Sequence, residues 1–302
     1  MLEAHHTESA PGTAPVSQVT PVLLHGLPAW AFESRTGGWP ATLELVFARC
    51  EGTTRIIDQR HRGPLRIQRP FHPEGGDVSH VYLLHPPAGI VGGDDIRIRV
   101  SLQQEAHALV TSPGAARFYL SRHDLSQVQQ VARVGSGCTL EWLPQETLFM
   151  RGARAKTALK VELEADAQFF GWEIAGFGRP ALHEPFADGS LEIRLEIYRD
   201  GRPLLLDCYR VGEGSAEGLE GRSAVMTLLA SGADDAVLER ARTVLGGVDD
   251  ATLAATRIDD LLIVRGIADR CEPLFAQAVN IWRALRPLLL SRAPSVPRIW
   301  LT

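Results

Sequence analysis

The sequence lacks the paired cysteines that build compact metal or redox motifs. Its four cysteines are far apart, and no two have Cys-x-x-Cys spacing. Free thiols in a reducing cytosol are the simpler interpretation. No apolar run reaches the roughly 18 residues that a membrane helix needs, and no basic region followed by an apolar stretch opens the chain. We therefore expect a cytoplasmic protein without a membrane partner.

Signatures of several catalytic classes are also missing. The sequence has no His-Glu-x-x-His and no Gly-x-Ser-x-Gly motif. A glycine-rich stretch at His85–Asp95, His-Pro-Pro-Ala-Gly-Ile-Val-Gly-Gly-Asp-Asp, lacks the Lys and Ser or Thr that a phosphate-binding loop needs after its last glycine. The net charge of −5 argues against a nucleic-acid partner, because nucleic-acid binders usually present a basic face.

Two adjacent carboxylates, Asp94 and Asp95, close this glycine-rich stretch. Gly92 and Gly93 can take positive φ without steric cost, and the two preceding prolines favour an extended backbone. We expect a rigid turn that presents both carboxylates at the start of a strand, where they suit a hard or borderline cation. A solvated turn is the alternative, since Gly-Gly-Asp is ordinary turn chemistry.

Other carboxylates lie inside apolar segments. Glu173 follows Phe-Phe-Gly-Trp, so we expect it to be buried or to line a cavity, where burial raises its pKa unless a cation or donor compensates. Asp207 follows Pro-Leu-Leu-Leu and is a weaker candidate of the same kind. Glu141 and Glu146 bound a Glu-Trp-Leu-Pro-Gln-Glu segment, and either they form ion pairs with Arg151 and Arg154 that hold a strand end or they have a functional role.

The pattern of residues from Ala41 to about Arg210 is that of a β protein. Apolar and polar residues alternate in several short segments, and the Asp200-Gly201 pair predicts a hairpin. The 28 glycines and 19 prolines suit a chain with many turns. Strand patterns that recur without intervening helices favour a sandwich, a barrel or a stacked solenoid, although no fixed repeat length supports a regular solenoid.

We predict three regions: a disordered extension at 1–38, a β-rich body at 39–215 and an α+β part at 216–302, beyond a linker near 212–218. The last part should contain a strand near Ser223, a helix from Asp234 to Leu245 stopped by two glycines, a strand from Arg257 to Arg265, and a helix from about Cys271 to Leu290 that Pro287 closes or kinks. The longer helix has an apolar stripe, which should pack on the body or bind a partner: Leu274, Ala278, Ile281, Trp282, Leu285 and Leu289.

An ordered set of segments resembles the UreD urease accessory proteins, called UreH in some organisms. The resemblance covers roughly residues 40 to 302, and the matching segments are Gly63–Phe71, Tyr82–Asp94, Pro113–Tyr119, Leu140–Glu146, Gly178–Pro180, Leu191–Leu206 and Pro297–Thr302. Each segment alone is moderately specific, whereas their order along the chain is highly specific.

The resemblance implies a β-helix-like stack of strands with a small C-terminal part containing two helices. It also implies a scaffold without catalytic turnover, which binds apo-urease on one side and the accessory protein UreF on the other, while the GTPase UreG delivers nickel through that assembly. The family's internal nickel path would correspond here to Asp94, Asp95, Glu173 and Asp207. Ile281, Trp282 and Leu285 are the candidate partner contacts.

The chemistry of these side chains fits a conduit better than a storage site. Tight nickel sites favour imidazole or thiolate ligands in a defined geometry, whereas this chain offers scattered carboxylates. Weak, spaced oxygen ligands let an ion move on, so we expect transient nickel(II) and no tightly bound cofactor. Two alternatives remain: a β-helix enzyme that cleaves carbohydrates with paired carboxylates in an open, aromatic-lined groove, and an interaction module whose acidic residues only form ion pairs.

Overall fold

The computed structural model describes residues 38–212, 219, 221–245 and 250–301. Nearly all of the expected N-terminal extension, most of the expected linker and the two glycines expected to stop the first helix lie outside the described residues. Seventeen strands and two α-helices follow one another along the described chain: β1 (Pro40–Cys50), β2 (Thr53–Arg62), β3 (Arg66–Ile67), β4 (Val78–Leu84), β5 (Asp95–Gln103), β6 (His107–Thr111), β7 (Ala116–Phe118), β8 (Ser126–Val134), β9 (Thr139–Trp142), β10 (Thr147–Phe149), β11 (Arg154–Leu163), β12 (Gln168–Phe177), β13 (Ser190–Arg199), β14 (Arg202–Val211), β15 (Ala224–Ala230), α1 (Asp235–Leu245), β16 (Ala251–Ile258), β17 (Leu261–Ala268) and α2 (Cys271–Leu290).

The strands stack as a β-solenoid of about four turns, which confirms the expected β-helix-like fold. In the first sheet, β1, β5, β8, β11 and β13 are parallel neighbours, and β2 and β14 close its two ends in antiparallel pairing. In the second sheet, β4, β6, β9 and β12 are parallel neighbours. The short strands β7 and β10 pair with each other on a third side, where β10 also pairs with β12.

The turns of the solenoid differ in length, which explains why the sequence shows no fixed repeat. Asp95 pairs with Gln127, Ser126 pairs with Ala155, and Arg154 pairs with Ser190, so the spacing between stacked residues changes from turn to turn. Each turn therefore repeats the pairing of its strands, whereas the length of the loops between the strands differs from turn to turn.

Two apolar cores lie on opposite faces of the second sheet. Alternate residues of β1, such as Leu43, Leu45 and Phe47, point into the interior between the two sheets, as the period-two pattern predicts. The other face of the second sheet packs against α1 and α2, where Trp172 of β12 meets Trp300 at 5.7 Å between ring centroids.

The C-terminal part continues the second sheet through the order β12, β15, β17 and β16. The expectation of a single strand from Arg257 to Arg265 is wrong, because a turn at Asp259 and Asp260 divides β16 from β17. Asp259 has a φ of 51°, a left-handed conformation that Asp tolerates better than most residues. Helix α2 continues past Pro287 to Leu290.

The apolar stripe of α2 forms part of the chain's own core. Leu274, Ile281, Trp282 and Leu285 are fully buried against the second sheet. The packing role expected for this stripe is therefore observed. The partner-binding role assigned to Ile281, Trp282 and Leu285 is not compatible with side chains that expose no surface, so a partner of this fold meets other residues.

A buried ionic cluster joins α2 to the second sheet. Arg286 donates hydrogen bonds to Glu141 of β9 at 2.9 Å and to Glu74 at 2.7 Å, and Trp282 Nε1 also donates to Glu141. His107 contacts Glu141 at 2.7 Å. Burial alone would raise the pKa of Glu141, but the hydrogen bonds from His107 and Arg286 lower it to about 2. The expectation that Arg151 and Arg154 compensate Glu141 is therefore wrong, because its partners come from distant parts of the chain.

Removing the cation from this cluster should unfold the protein more easily. Arg286→Met keeps the length of the side chain but leaves Glu74 and Glu141 without their shared guanidinium, which should lower the free energy of unfolding by about 3–5 kcal/mol. The double variant Arg286→Met/Glu141→Gln should recover part of that loss, because the most deeply buried charge is then also removed. Urea denaturation measures both, and a loss below about 1 kcal/mol in the single variant would contradict the role assigned to the cluster.

Candidate ion path inside the solenoid

A cavity of about 330 Å³ lies between the two sheets. Two sequence motifs line one end of it, the loop that contains His85 to Ile90 and the segment from Ser112 to Phe118. Gln130, Thr157 and Glu173 line it from strands of the solenoid. The regular stacking of parallel strands places these three polar side chains at inward-facing positions, where an apolar residue is the usual occupant.

A second cavity of about 380 Å³ adjoins the first. Both are lined by the same short loop, including His85, Pro87 and Gly89, and the second is also lined by Asp94. A Cβ atom on Gly89 would lie 2.2 Å from the ring of Tyr119, so glycine is required for the loop to approach this ring. The shared loop therefore forms the boundary between the two cavities.

Glu173 is the carboxyl that lines the first cavity. On β12, Phe169, Ala175 and Phe177 share its inward face and belong to the interior core. Burial raises the pKa of Glu173 to about 7, and the nearby carboxyl of Asp207 adds to the shift. The raised pKa agrees with what the aromatic segment predicts. Glu173 has no ion-pair partner among the described residues, so its charge near neutral pH depends on what occupies the cavity.

Asp207 lies close to Glu173 but is already compensated. Its carboxylate contacts Arg265 of β17 at 2.8 Å, an ion pair that joins the last strand of the first sheet to the second sheet. Thr227 pairs in register with Glu173, and its buried hydroxyl has no hydrogen-bond partner in the described chain. Of the two neighbouring carboxyls, Glu173 is therefore the one whose oxygens remain available.

The side chains of the two aspartates in the glycine-rich turn lie in different environments. Asp94 accepts hydrogen bonds from the backbone N–H groups of Trp39 and Val91, each at 3.0 Å, and lines the second cavity. Asp95 contacts Arg97 at 2.7 Å and lines neither cavity. The expected joint presentation of both carboxylates is therefore wrong, since one ties the turn together and the other forms an ion pair at the start of β5.

The glycines of this turn have different roles. Gly93 has the expected positive φ, 92°. Gly92 does not, and its lack of a side chain matters for another reason, since a Cβ atom there would lie 2.0 Å from Ser121 Oγ. The turn thus needs one glycine for its backbone conformation and the other for close packing.

His85 is a site residue that the sequence alone does not identify. It lines both cavities, and burial lowers its pKa while the charge of Asp94 opposes that shift. A histidine before two prolines is more often structural, and nothing in the sequence links His85 to the cavity that Glu173 lines. A neutral imidazole is a competent ligand for borderline cations such as nickel(II).

The described residues contain no group of three or more His, Cys, Asp or Glu side chains arranged to hold a metal ion. Among the residues lining the first cavity, Phe118 is the one Phe, Tyr or Trp side chain. An aromatic-lined groove, which the carbohydrate-enzyme alternative predicts, is therefore not found in this cavity. The cavity therefore offers single, spaced ligands in a mostly apolar passage.

The pKa of Glu173 predicts how stability changes with pH. Its ordinary value is 4.5 and its folded value is about 7, so the folded chain retains a proton that the unfolded chain releases between these values. Ionising the carboxyl costs the folded state free energy as the pH rises through this window. Glu173→Gln should therefore be more stable than wild type at about pH 8, by about 1–3 kcal/mol, and equally stable near pH 4. Urea denaturation at both pH values is the measurement, and a difference that does not change with pH would contradict the raised pKa.

Comparisons with known proteins place the chain in a family. The family described as "UreD urease accessory protein" matches residues 40–301. The chain is 41% identical over 273 residues to the urease accessory protein UreD of Pseudomonas fluorescens, covering 88% of this chain and 96% of the relative. It is 40% identical over 278 residues to UreD of Alcanivorax borkumensis, covering 89% and 94%, and 40% identical over 267 residues to UreD of Klebsiella aerogenes, covering 88% and 97%. Neither helix in the described ranges is long and apolar enough to cross a membrane. The chain belongs to the UreD urease accessory protein family.

Proposed function

We propose that this protein is a urease maturation factor that passes nickel(II) through the interior of its solenoid. It acts as a scaffold without catalytic turnover of its own. Apo-urease receives the ion, and UreF together with the GTPase UreG supplies it. These partners follow from the family resemblance, and the family's name supports the link to urease.

The observation that carries the proposal is where the family's motifs lie. The Tyr82–Asp94 and Pro113–Tyr119 segments, which carry much of the resemblance, both contribute lining residues to the cavity that contains Glu173. A packed solenoid has no need of a cavity of this size, because interiors of proteins are close-packed. Motifs that line a passage are better explained by what passes through it than by folding alone.

The electrostatics of the passage favour transit. A bare divalent ion in an apolar interior is strongly destabilised unless charge compensates it. Glu173 supplies a carboxylate without a fixed cation, and His85, which lines the same cavity, supplies a neutral nitrogen. An arriving cation would displace the proton from Glu173, so the site is charged when it is occupied and only partly charged near pH 7 when it is not. Single ligands of this kind bind an ion weakly enough to release it.

The energy for directed transfer must come from a partner. The sequence has no phosphate-binding loop, which agrees with assigning GTP hydrolysis to UreG. Because Ile281, Trp282 and Leu285 expose no surface, we assign the contact with UreF to other residues that are exposed.

Replacing Glu173 tests the passage directly. Glu173→Ala should lower the nickel content and the activity of urease matured with this protein, while the complex with UreF and urease still assembles. Glu173→Asp should be nearly silent if negative charge is what matters, whereas Glu173→Gln should resemble Ala. Bound nickel per active site, urease activity and a pull-down of the complex are the three measurements.

Asp95→Ala is the matched control, because Asp95 carries the same charge but lines neither cavity. It should mature urease as wild type does. Full activation by Glu173→Ala would contradict the conduit and favour a plain interaction module. Failure of Glu173→Ala to assemble with its partners would instead assign Glu173 a structural role.

A further inference from the structure

One end of the solenoid carries a basic surface that the proposed ion path does not use. We call residues 53–69 the basic end; they comprise β2, the turn after it, β3 and the two residues that follow. The segment contains five arginines against one aspartate and no lysine or glutamate, a formal charge of +4 in a chain of net charge −5. All five arginines are exposed: Arg55, Arg60, Arg62, Arg66 and Arg69.

Most of this charge is not neutralised within the chain. Arg60 pairs with Asp58 at 3.1 Å. Arg66 donates to His61 Nδ1 and to two backbone carbonyls rather than to a carboxylate. Arg55, Arg62 and Arg69 have no carboxylate partner among the described residues. At the opposite end of the same sheet, Asp207 and Arg210 of β14 both have ion-pair partners.

The backbone at the basic end is also unpaired along one side. β2 is the last strand of the first sheet and pairs only with β1. On its other side, Thr54 donates to the Gly76 carbonyl at 2.8 Å and its own carbonyl contacts His72 at 2.9 Å. In the described structure no backbone hydrogen bond crosses this side from Arg55 to Arg62. An edge of unpaired N–H and C=O groups is a template for one more strand.

Apolar side chains accompany the arginines. Ile57 and Phe71 each expose 43% of their surface. Ile57 is the extra residue of a bulge, since Phe47 pairs with Ile56 and Val46 with Asp58. Arginine combined with exposed aromatic and aliphatic surface is the composition found at protein interfaces.

We propose that the basic end is a docking surface for an extended, acidic segment of a partner protein, which adds to β2 as a further strand. The positive charge of the basic end favours an acidic partner. Two copies of this edge repel each other, so the arginines disfavour self-pairing, whereas an acidic strand gains both backbone hydrogen bonds and charge complementarity. Edge protection by charge, without any partner, is the competing explanation.

A synthetic peptide tests this with the full-length protein. The probe is a fluorescein-labelled (Glu-Val)5 peptide, and binding is followed by fluorescence anisotropy. Wild type should bind it with a Kd that rises about tenfold between roughly 50 and 300 mM NaCl. Arg55→Glu/Arg62→Glu should weaken binding at least about tenfold at low salt, with an unchanged Tm because both side chains are exposed.

Arg240→Glu/Arg283→Glu is the control, because it changes the net charge equally at exposed arginines of α1 and α2 that lack carboxylate partners in the described chain. It should bind the peptide as wild type does. Equal weakening in both double variants would overturn the proposal, since binding would then follow net charge alone. The absence of measurable peptide binding to wild type would also overturn the proposal. Edge protection would then explain the arginines of the basic end.

Hydrogen exchange distinguishes strand addition from loose electrostatic contact. Bound peptide should slow exchange of the amides between Ile56 and Arg62. Binding without that protection would overturn the added strand. A single-stranded DNA oligonucleotide of equal charge should bind more weakly than the peptide, and equal or tighter binding would overturn the peptide partner in favour of nucleic acid.

Discussion

In-register stacking of parallel strands is the constraint on which this structure depends. Each inward position on one turn stacks on an inward position of the next, so the interior between the sheets is closed and mostly apolar. Any charged side chain at an inward position then loses hydration, and its cost is large unless something compensates it. Glu173 and Asp207 both meet this condition. They differ in whether a cation lies beside them. Arg265 compensates Asp207, whereas Glu173 faces the cavity and has a pKa of about 7.

The same rule explains the other side of the second sheet. Glu141 is fully buried there and its pKa is about 2, because cationic and N–H donors from α2 and from β6 surround it. Two glutamates on neighbouring strands, one fully buried and one lining the cavity, thus have opposite protonation tendencies. One is part of the framework that fixes α2 on the sheet, and the other is suited to binding a mobile cation. Environment, not residue type, separates the structural carboxylate from the proposed functional one.

Much of the fold could be predicted from local patterns, and the limits of that prediction are physical. Alternation identified the strands, and an ordered set of motifs indicated the β-helix-like stack. The sequence also singled out Glu173, because a carboxylate among aromatic residues is unusual. It could not pair Glu141 with Arg286, since the two are brought together only by tertiary packing. His85 could not be linked to the cavity for the same reason, and the hairpin at Asp259 was missed because Asp-Asp inside an apolar run resembles a continuous strand.

The proposed function assigns transport of the ion to the interior cavity and binding of partners to the exposed faces. Its central claim is that nickel(II) enters the interior cavity and meets Glu173. Paramagnetic line broadening in NMR spectra of methyl-labelled protein tests this most directly. Substoichiometric nickel(II) should broaden the methyl signals of Ile96, Ile98 and Val128, which line the cavity, and Glu173→Gln should abolish that broadening. Broadening confined to surface methyl groups, or unchanged cavity broadening in Glu173→Gln, would contradict the claim.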